Sequence, residues 1–195
     1  MKKYEEDRYI QEHIREHIYP WIKEKLVDHE VLGGRIISEK DTPLVSFVGD
    51  LMVVFVIKRE NETFEILKEN MLPPGCDIEK LYYKACENLA KNVHFVISQT
   101  LYGGFGIVAD GHHEASSLCL KHIWNLCAEK LEDDLVIMAP AKDMVLFMPA
   151  KDLDGIEKMR IFGMESYKRN QDKISEKLMF FDREKKELRM YEQKD

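Results

Sequence analysis

Residues 103–149 read GGFGIVADGHHEASSLCLKHIWNLCAEKLEDDLVIMAPAKDMVLFMP. A glycine-rich turn feeds a short strand at Ile107 to Ala109, a polar loop follows, and a helix is predicted from about Glu114 to Leu131. Within it Leu120, Ile123, Trp124, Cys127 and Leu131 recur at helical spacing and mark a core-facing stripe. Leu135 to Ala139 and Met144 to Met148 are then apolar at every position, with Pro140-Ala141-Lys142-Asp143 between them. A run that is apolar on both alternating faces cannot leave one face in water, so the pair reads as a hairpin in the middle of a sheet.

The chain on either side repeats this unit. Towards the C-terminus a helix is predicted over Asp152 to Lys168, weakened by Gly163, and Lys177 to Asp182 and Glu187 to Tyr191 form a hairpin with a charged tip. Before residue 103, Asp77 caps a helix running to Lys91, and Val93, Phe95 and Ile97 alternate as a strand. Leu51 to Ile57 is apolar throughout and is placed inside a sheet covered on both sides, beside the two central runs. Shorter strands are expected at Arg35 to Ser38, Leu44 to Val48 and Thr63 to Leu67. Residues 4–29 carry Ile10, Ile14, Ile18, Trp21, Ile22 and Leu26 at helical spacing, so residues 1–29 read as an N-terminal helical extension that Pro20 kinks or splits.

From residue 77 onward the order is helix, strand, strand, repeated. This predicts an α+β fold, a mostly antiparallel sheet built from helix-strand-strand units with helices packed on it. The strands before and after the central helix can still run parallel, as in any strand-helix-strand crossover. Residues 1–195 are expected to form a single domain, and any lobe boundary falls near 73–76, where Pro73-Pro74-Gly75 interrupts both helix and strand.

Composition excludes several classes. Hydrophobic residues make up 45% and charged residues 33%, which is ordinary for a globular chain rather than a disordered one. A formal net charge of −7 gives no electrostatic footprint for nucleic acid. The longest apolar run, at 51–57, is far short of a membrane span, and the N-terminal residues lack the apolar core of a signal peptide. A cytoplasmic protein is expected, with Cys76, Cys86, Cys119 and Cys127 as reduced thiols. The ten methionines read as core gap-fillers.

Chemistry-bearing residues gather at one place. Asp110, His112, His113, Glu114 and Ser116 crowd the loop before the central helix, where an acid, a base or an anion site can be built. If the flanking strands are parallel, Lys142 and Asp143 emerge at the same sheet edge. The same residues also fit a plain loop, with Asp110-Gly111 as a turn and Glu114 and Ser116 as cap and first-turn acid. His13-Ile14-Arg15-Glu16-His17 matches the H-x-x-E-H pattern of zinc peptidases but lacks a third ligand, so no metal and no cofactor is expected.

Phe47-Val48-Gly49-Asp50-Leu51, Asn88-Leu89, Asp110-Gly111-His112-His113-Glu114-Ala115-Ser116 and Pro140-Ala141-Lys142-Asp143, in this order and spacing over residues 43–191, resemble the YtpQ-like family of uncharacterised bacterial proteins. The resemblance implies a domain of unknown function with no catalytic residues to carry over. The sequence thus favours a non-catalytic binding or interaction module of a bacterial cytoplasmic protein, taking an unknown protein or small-molecule ligand and compatible with a homodimer. The alternative is a small hydrolase or metal-dependent enzyme using the 110–114 loop and the 140–143 turn.

Overall fold

In a computed structural model, the described residues are 11–25, 29–32, 35–38 and 40–192. The chain divides into two units, Met1–Asn92 and Val93–Asp195. The division falls after the helix that follows Pro73-Pro74-Gly75, so that punctuation lies inside the first unit.

The first unit is built on β5 (Leu51–Lys58), whose residues 51–57 are all buried. Such a strand needs partners on both sides for its backbone. One side is filled along its whole length by β1 (Ile18–Glu24), antiparallel, with Ile18 opposite Ile57 and Glu24 opposite Leu51. On the other side β4 (Leu44–Ser46) pairs with Met52 to Val54 and β6 (Phe64–Ile66) with Val56 to Lys58. A separate hairpin joins β2 (His29–Leu32) to β3 (Arg35–Ser38). Helix α1 (Ile78–Asn92) packs on β1 and β4, its first turn capped by Asp77 Oδ1, which accepts from the Glu79 and Lys80 amides at 3.1 and 3.2 Å.

The expected helix over 4–29 is corrected here. Residues 11–17 are helical and the chain then turns directly into β1. Ile18, Tyr19, Trp21 and Ile22 are β-branched or aromatic, and the seven-residue pairing with β5 outweighs the helical spacing. Pro20 neither kinks nor splits a helix. It sits opposite Phe55 on an edge strand, where its missing N–H costs no ladder bond. The parts of this expectation at residues 4–10 and 26–28 lie outside the described residues.

The second unit is a six-stranded sheet in the order β12-β11-β9-β10-β8-β7, every neighbouring pair antiparallel. Its strands are β7 (Val96–Gln99), β8 (Phe105–Val108), β9 (Leu135–Ala141), β10 (Met144–Pro149), β11 (Leu178–Asp182) and β12 (Glu187–Met190). The expected hairpin is present at its centre: β9 and β10 pair with Leu146 opposite Met138 and Phe147 opposite Ile137. β8 and β9 are both antiparallel to β10, hence parallel to each other with β10 between them. The run at 51–57 is not their neighbour, since it belongs to the sheet of the first unit.

Both faces of this sheet are covered by its own helices. On one face Val136, Met138, Leu146 and Met148 meet Ile156 and Met159 of α3 (Leu153–Arg169). On the other, Trp124 of α2 (Lys121–Leu131) stands edge-on to Phe147 at 5.5 Å and 84°. Two layers explain why β9 and β10 are apolar at every position. Helix α3 runs unbroken through Gly163. A Cβ there would collide with the Met138 sulfur, and one at Gly155 with the Met148 methyl, so both glycines let the helix lie close on the sheet. The α+β class, with helix-strand-strand units and helices packed on antiparallel sheets, is the observed fold.

Candidate functional site

Parallel β8 and β9 deliver their following and final residues to the same end of the sheet, and the 110–114 loop and the 140–143 turn do meet there. The amide of Ala115 donates to the carbonyl of Lys142 at 3.0 Å. This contact is a backbone hydrogen bond.

The loop is held by its own carboxylates. Glu114, 4% exposed, turns back so that Oε1 accepts the amides of Ala109 at 3.0 Å and Gly111 at 2.9 Å. Gly111 has φ +79, a left-handed conformation that glycine adopts without strain. Asp110 Oδ1 accepts the amides of His112 and His113, each at 3.0 Å, and Oδ2 lies 2.8 Å from His113 Nδ1. Burial pushes the Asp110 carboxyl up, but the hydrogen bond and charge of His113 and the two amides outweigh it. The group is held well below the usual carboxylate range.

The expected helix from Glu114 is corrected as well. Ala115–Cys119 forms a 3-10 turn, Leu120 breaks it with φ −104 and ψ 84, and α2 begins at Lys121. Glu114 provides no side-chain cap, because its carboxylate is bonded upstream. Nor does Ser116 act as a cap: it is buried inside the 3-10 turn. The carbonyl of Ser117 receives the Trp124 indole N–H at 2.8 Å, which ties the turn to the buried face of α2. Ser117 Oγ and Glu114 Oε2 are both buried with no hydrogen-bond partner among the described residues.

On the hairpin side, Lys142 Nζ is 3.1 Å from Asp172 Oδ2, and the Lys142 amide donates to the Asp172 carbonyl at 3.0 Å. Asp143 Oδ1 accepts from Asn170 Nδ2 at 3.3 Å. The polar turn Asn170 to Asp172 is therefore the third component of this corner, and local reading missed it. Its signal is the cluster Asn170-Gln171-Asp172 between a helix and a strand, but its partner is set by sheet order.

The corner thus offers little to a substrate. His113 and Asp110 have the spacing of a base and its orienting acid, yet the His113 ring is 1% exposed. His112 is exposed, and its amide donates to the same Asp110. Among the described residues no group of three His, Cys, Asp or Glu side chains is placed to hold a metal. His13 and His17 of the H-x-x-E-H pattern stack at 4.4 Å, with His17 Nδ1 3.0 Å from the His13 carbonyl. Cys127 is buried, which pushes its thiol up to about 11 and keeps it in the unreactive form.

A cleft of about 450 Å³, unanticipated from the sequence, lies in the first unit, lined among others by Ile14, Arg15, Leu72, Pro73, Cys76 and Leu81. Two lysines on its wall are already engaged, Lys80 with Asp77 at 3.4 Å and Lys84 with Glu87 at 2.7 Å.

Comparisons with protein-family models, with curated proteins and with solved structures return no match. Among the described residues no helix is long and apolar enough to cross a membrane.

Proposed function

We propose that this chain is a non-catalytic binding or interaction module of a bacterial cytoplasmic protein, acting through the β7–β8 hairpin of its second unit. The observation that carries this reading is a surface without charge. In a chain that is 33% charged, residues 92–109 contain no Asp, Glu, Lys or Arg. A buried strand would explain such a stretch, but all four residues of β7 are exposed. Val96 is 59% exposed and Val108, directly opposite it on β8, 50%. Leu101 at the hairpin tip is fully exposed, and the neighbouring Tyr102 leans on the exposed Phe162 of α3 with ring centroids 5.7 Å apart. Exposed apolar residues gathered on one uncharged hairpin point to a place of association.

The enzyme alternative has lost support in proportion. Asp110, Glu114, Lys142 and Asp143 are spent on holding the corner, and the His113 ring is out of substrate reach. Four cysteines outside any disulfide suit a reducing compartment, and the net charge of −7 disfavours nucleic acid as the partner. Membership of the YtpQ-like family is part of the same proposal and rests on the order of its motifs.

The test replaces Val96, in the full chain expressed in cells, by a photoreactive residue, with Glu187 on the opposite edge of the sheet as control. The expected result is an adduct of defined mass from position 96, none from 187, and loss of the adduct on adding Ile97→Lys. Equal labelling from both positions, or none from either, overturns the reading.

A further inference from the structure

The two edges of the second sheet are built differently. β12 has the sequence Glu187-Leu188-Arg189-Met190, with Glu187 and Arg189 exposed and Leu188 and Met190 half-buried, and it follows the charged turn Arg183 to Lys186. Charges along an outer strand stop another strand from adding to it. β7 at the other edge, Val96-Ile97-Ser98-Gln99, carries neither charge nor proline. An edge strand presents a row of backbone donors and acceptors, and apart from its length of four residues nothing in the sequence of β7 discourages pairing.

From this contrast we infer that β7 pairs antiparallel with β7 of a second copy of this chain, across a two-fold axis through the middle of the strand, joining the two six-stranded sheets into one. The inference rests on the interaction-module reading and names its partner. A second copy is the occupant that the uncharged edge fits, because β7 can meet its own copy without a like-charge pair. Each chain carries −7, so two copies repel over most of their surface and approach with least opposition where that surface is neutral. The edge is self-complementary, as a two-fold interface must be, because Val96, Ile97, Ser98 and Gln99 meet one another with no like-charge pair in any antiparallel register. Val96 and Val108, an exposed cross-strand pair, extend the apolar surface beyond the strand, as does Leu101 at the tip. A four-residue strand with these flanks is a small interface, so the dimer is weak and concentration-dependent.

Sedimentation of the full-length protein over a concentration series tests this, comparing wild type with Ile97→Lys and with Glu187→Lys on the opposite edge. Wild type shows a monomer–dimer equilibrium, and Glu187→Lys leaves it unchanged. Ile97→Lys weakens it by more than about tenfold, because it places a lysine from each copy on the shared edge. Hydrogen exchange at Ile97 and Gln99, whose amides alternate with those turned to β8, slows with concentration in wild type. Circular dichroism confirms that Ile97→Lys is folded; if it is not, Ser98→Lys takes its place. A dimer that both edge variants leave intact, or a monomer at every concentration, overturns the self-pairing. In the latter case a photo-adduct from position 96 with a mass other than twice the chain preserves the module reading with a different partner, and no adduct at all sinks both.

Discussion

The side-chain amide of Asn88, on α1, donates to the carbonyl of Ile18 at 3.0 Å and to that of Arg15 at 3.0 Å. These are carbonyls at the point where helical residues 11–17 give way to β1. A helix end leaves its last carbonyls without partners, and a strand that starts at once cannot bend back to supply them. Asn88, 5% exposed, fills that need from another element and so fixes where helix becomes strand.

Asn88→Ala therefore strands the buried carbonyl of Ile18 and removes the part-buried bond to Arg15. The expected loss is about 1–3 kcal/mol of stability, read as a lower urea midpoint at unchanged slope. Asn92→Ala, which removes a single part-buried bond from the exposed Asn92 to the Tyr19 hydroxyl at 3.0 Å, is expected to cost less than half as much. Equal effects would show that the switch is not held by Asn88.

That junction also shows where local pattern stops being informative. Ile10, Ile14, Ile18 and Ile22 fit a helix as well as they fit anything nearby, and nothing between residues 4 and 29 announces that β5 needs an edge partner. β5, β9 and β10 were legible because a strand covered on both faces has no polar positions, whichever sheet it joins. Which sheet it joins is not local information, and so the expected adjacency of 51–57 to the central hairpin was wrong. At the candidate site, the meeting of the 110–114 loop with the 140–143 turn followed from parallel β8 and β9. The third component, Asp172, comes from a turn whose place is set only by the strand order.

Gly163→Ala tests the close approach of α3 to the sheet. In an exposed helix interior this change stabilises by about 1 kcal/mol. Here the new methyl meets the Met138 sulfur, so the sign reverses and thermal or urea unfolding shows a loss. Adding Met138→Val removes the obstructing atoms. The double variant is expected to recover part of the loss, a non-additivity that a purely local glycine effect would not produce.

Acid sensitivity should run through Asp110. Its folded pKa is depressed below the ordinary value of 3.8 by His113 and the loop amides. A depressed carboxyl contributes stability that is fully present above its unfolded pKa and is lost as pH falls through the folded one. Wild type therefore loses this contribution progressively below about pH 4, whereas Asp110→Asn lacks it at neutral pH and shows a shallower decline in acid. Urea midpoints measured from neutral pH down to the acid limit for both proteins give the comparison. Parallel curves would mean that Asp110 is not depressed in the folded chain.

Trp124 joins the 3-10 turn to the sheet, and its two contributions can be separated. Its indole N–H reaches the Ser117 carbonyl at 2.8 Å, and its ring is 1% exposed against Phe147. Trp124→Phe keeps most of the apolar contact and loses the donor. Because the Ser117 carbonyl still accepts the Leu120 amide at 2.9 Å, the cost should be near 1 kcal/mol. Trp124→Ala also opens a cavity beneath α2 and should cost about 3–5 kcal/mol. Far-UV circular dichroism in urea reads both without relying on the fluorophore removed. If the two variants prove equally unstable, the hydrogen bond rather than the packing of the ring holds α2 to β10, and the account of why that face of the sheet is apolar would need revision.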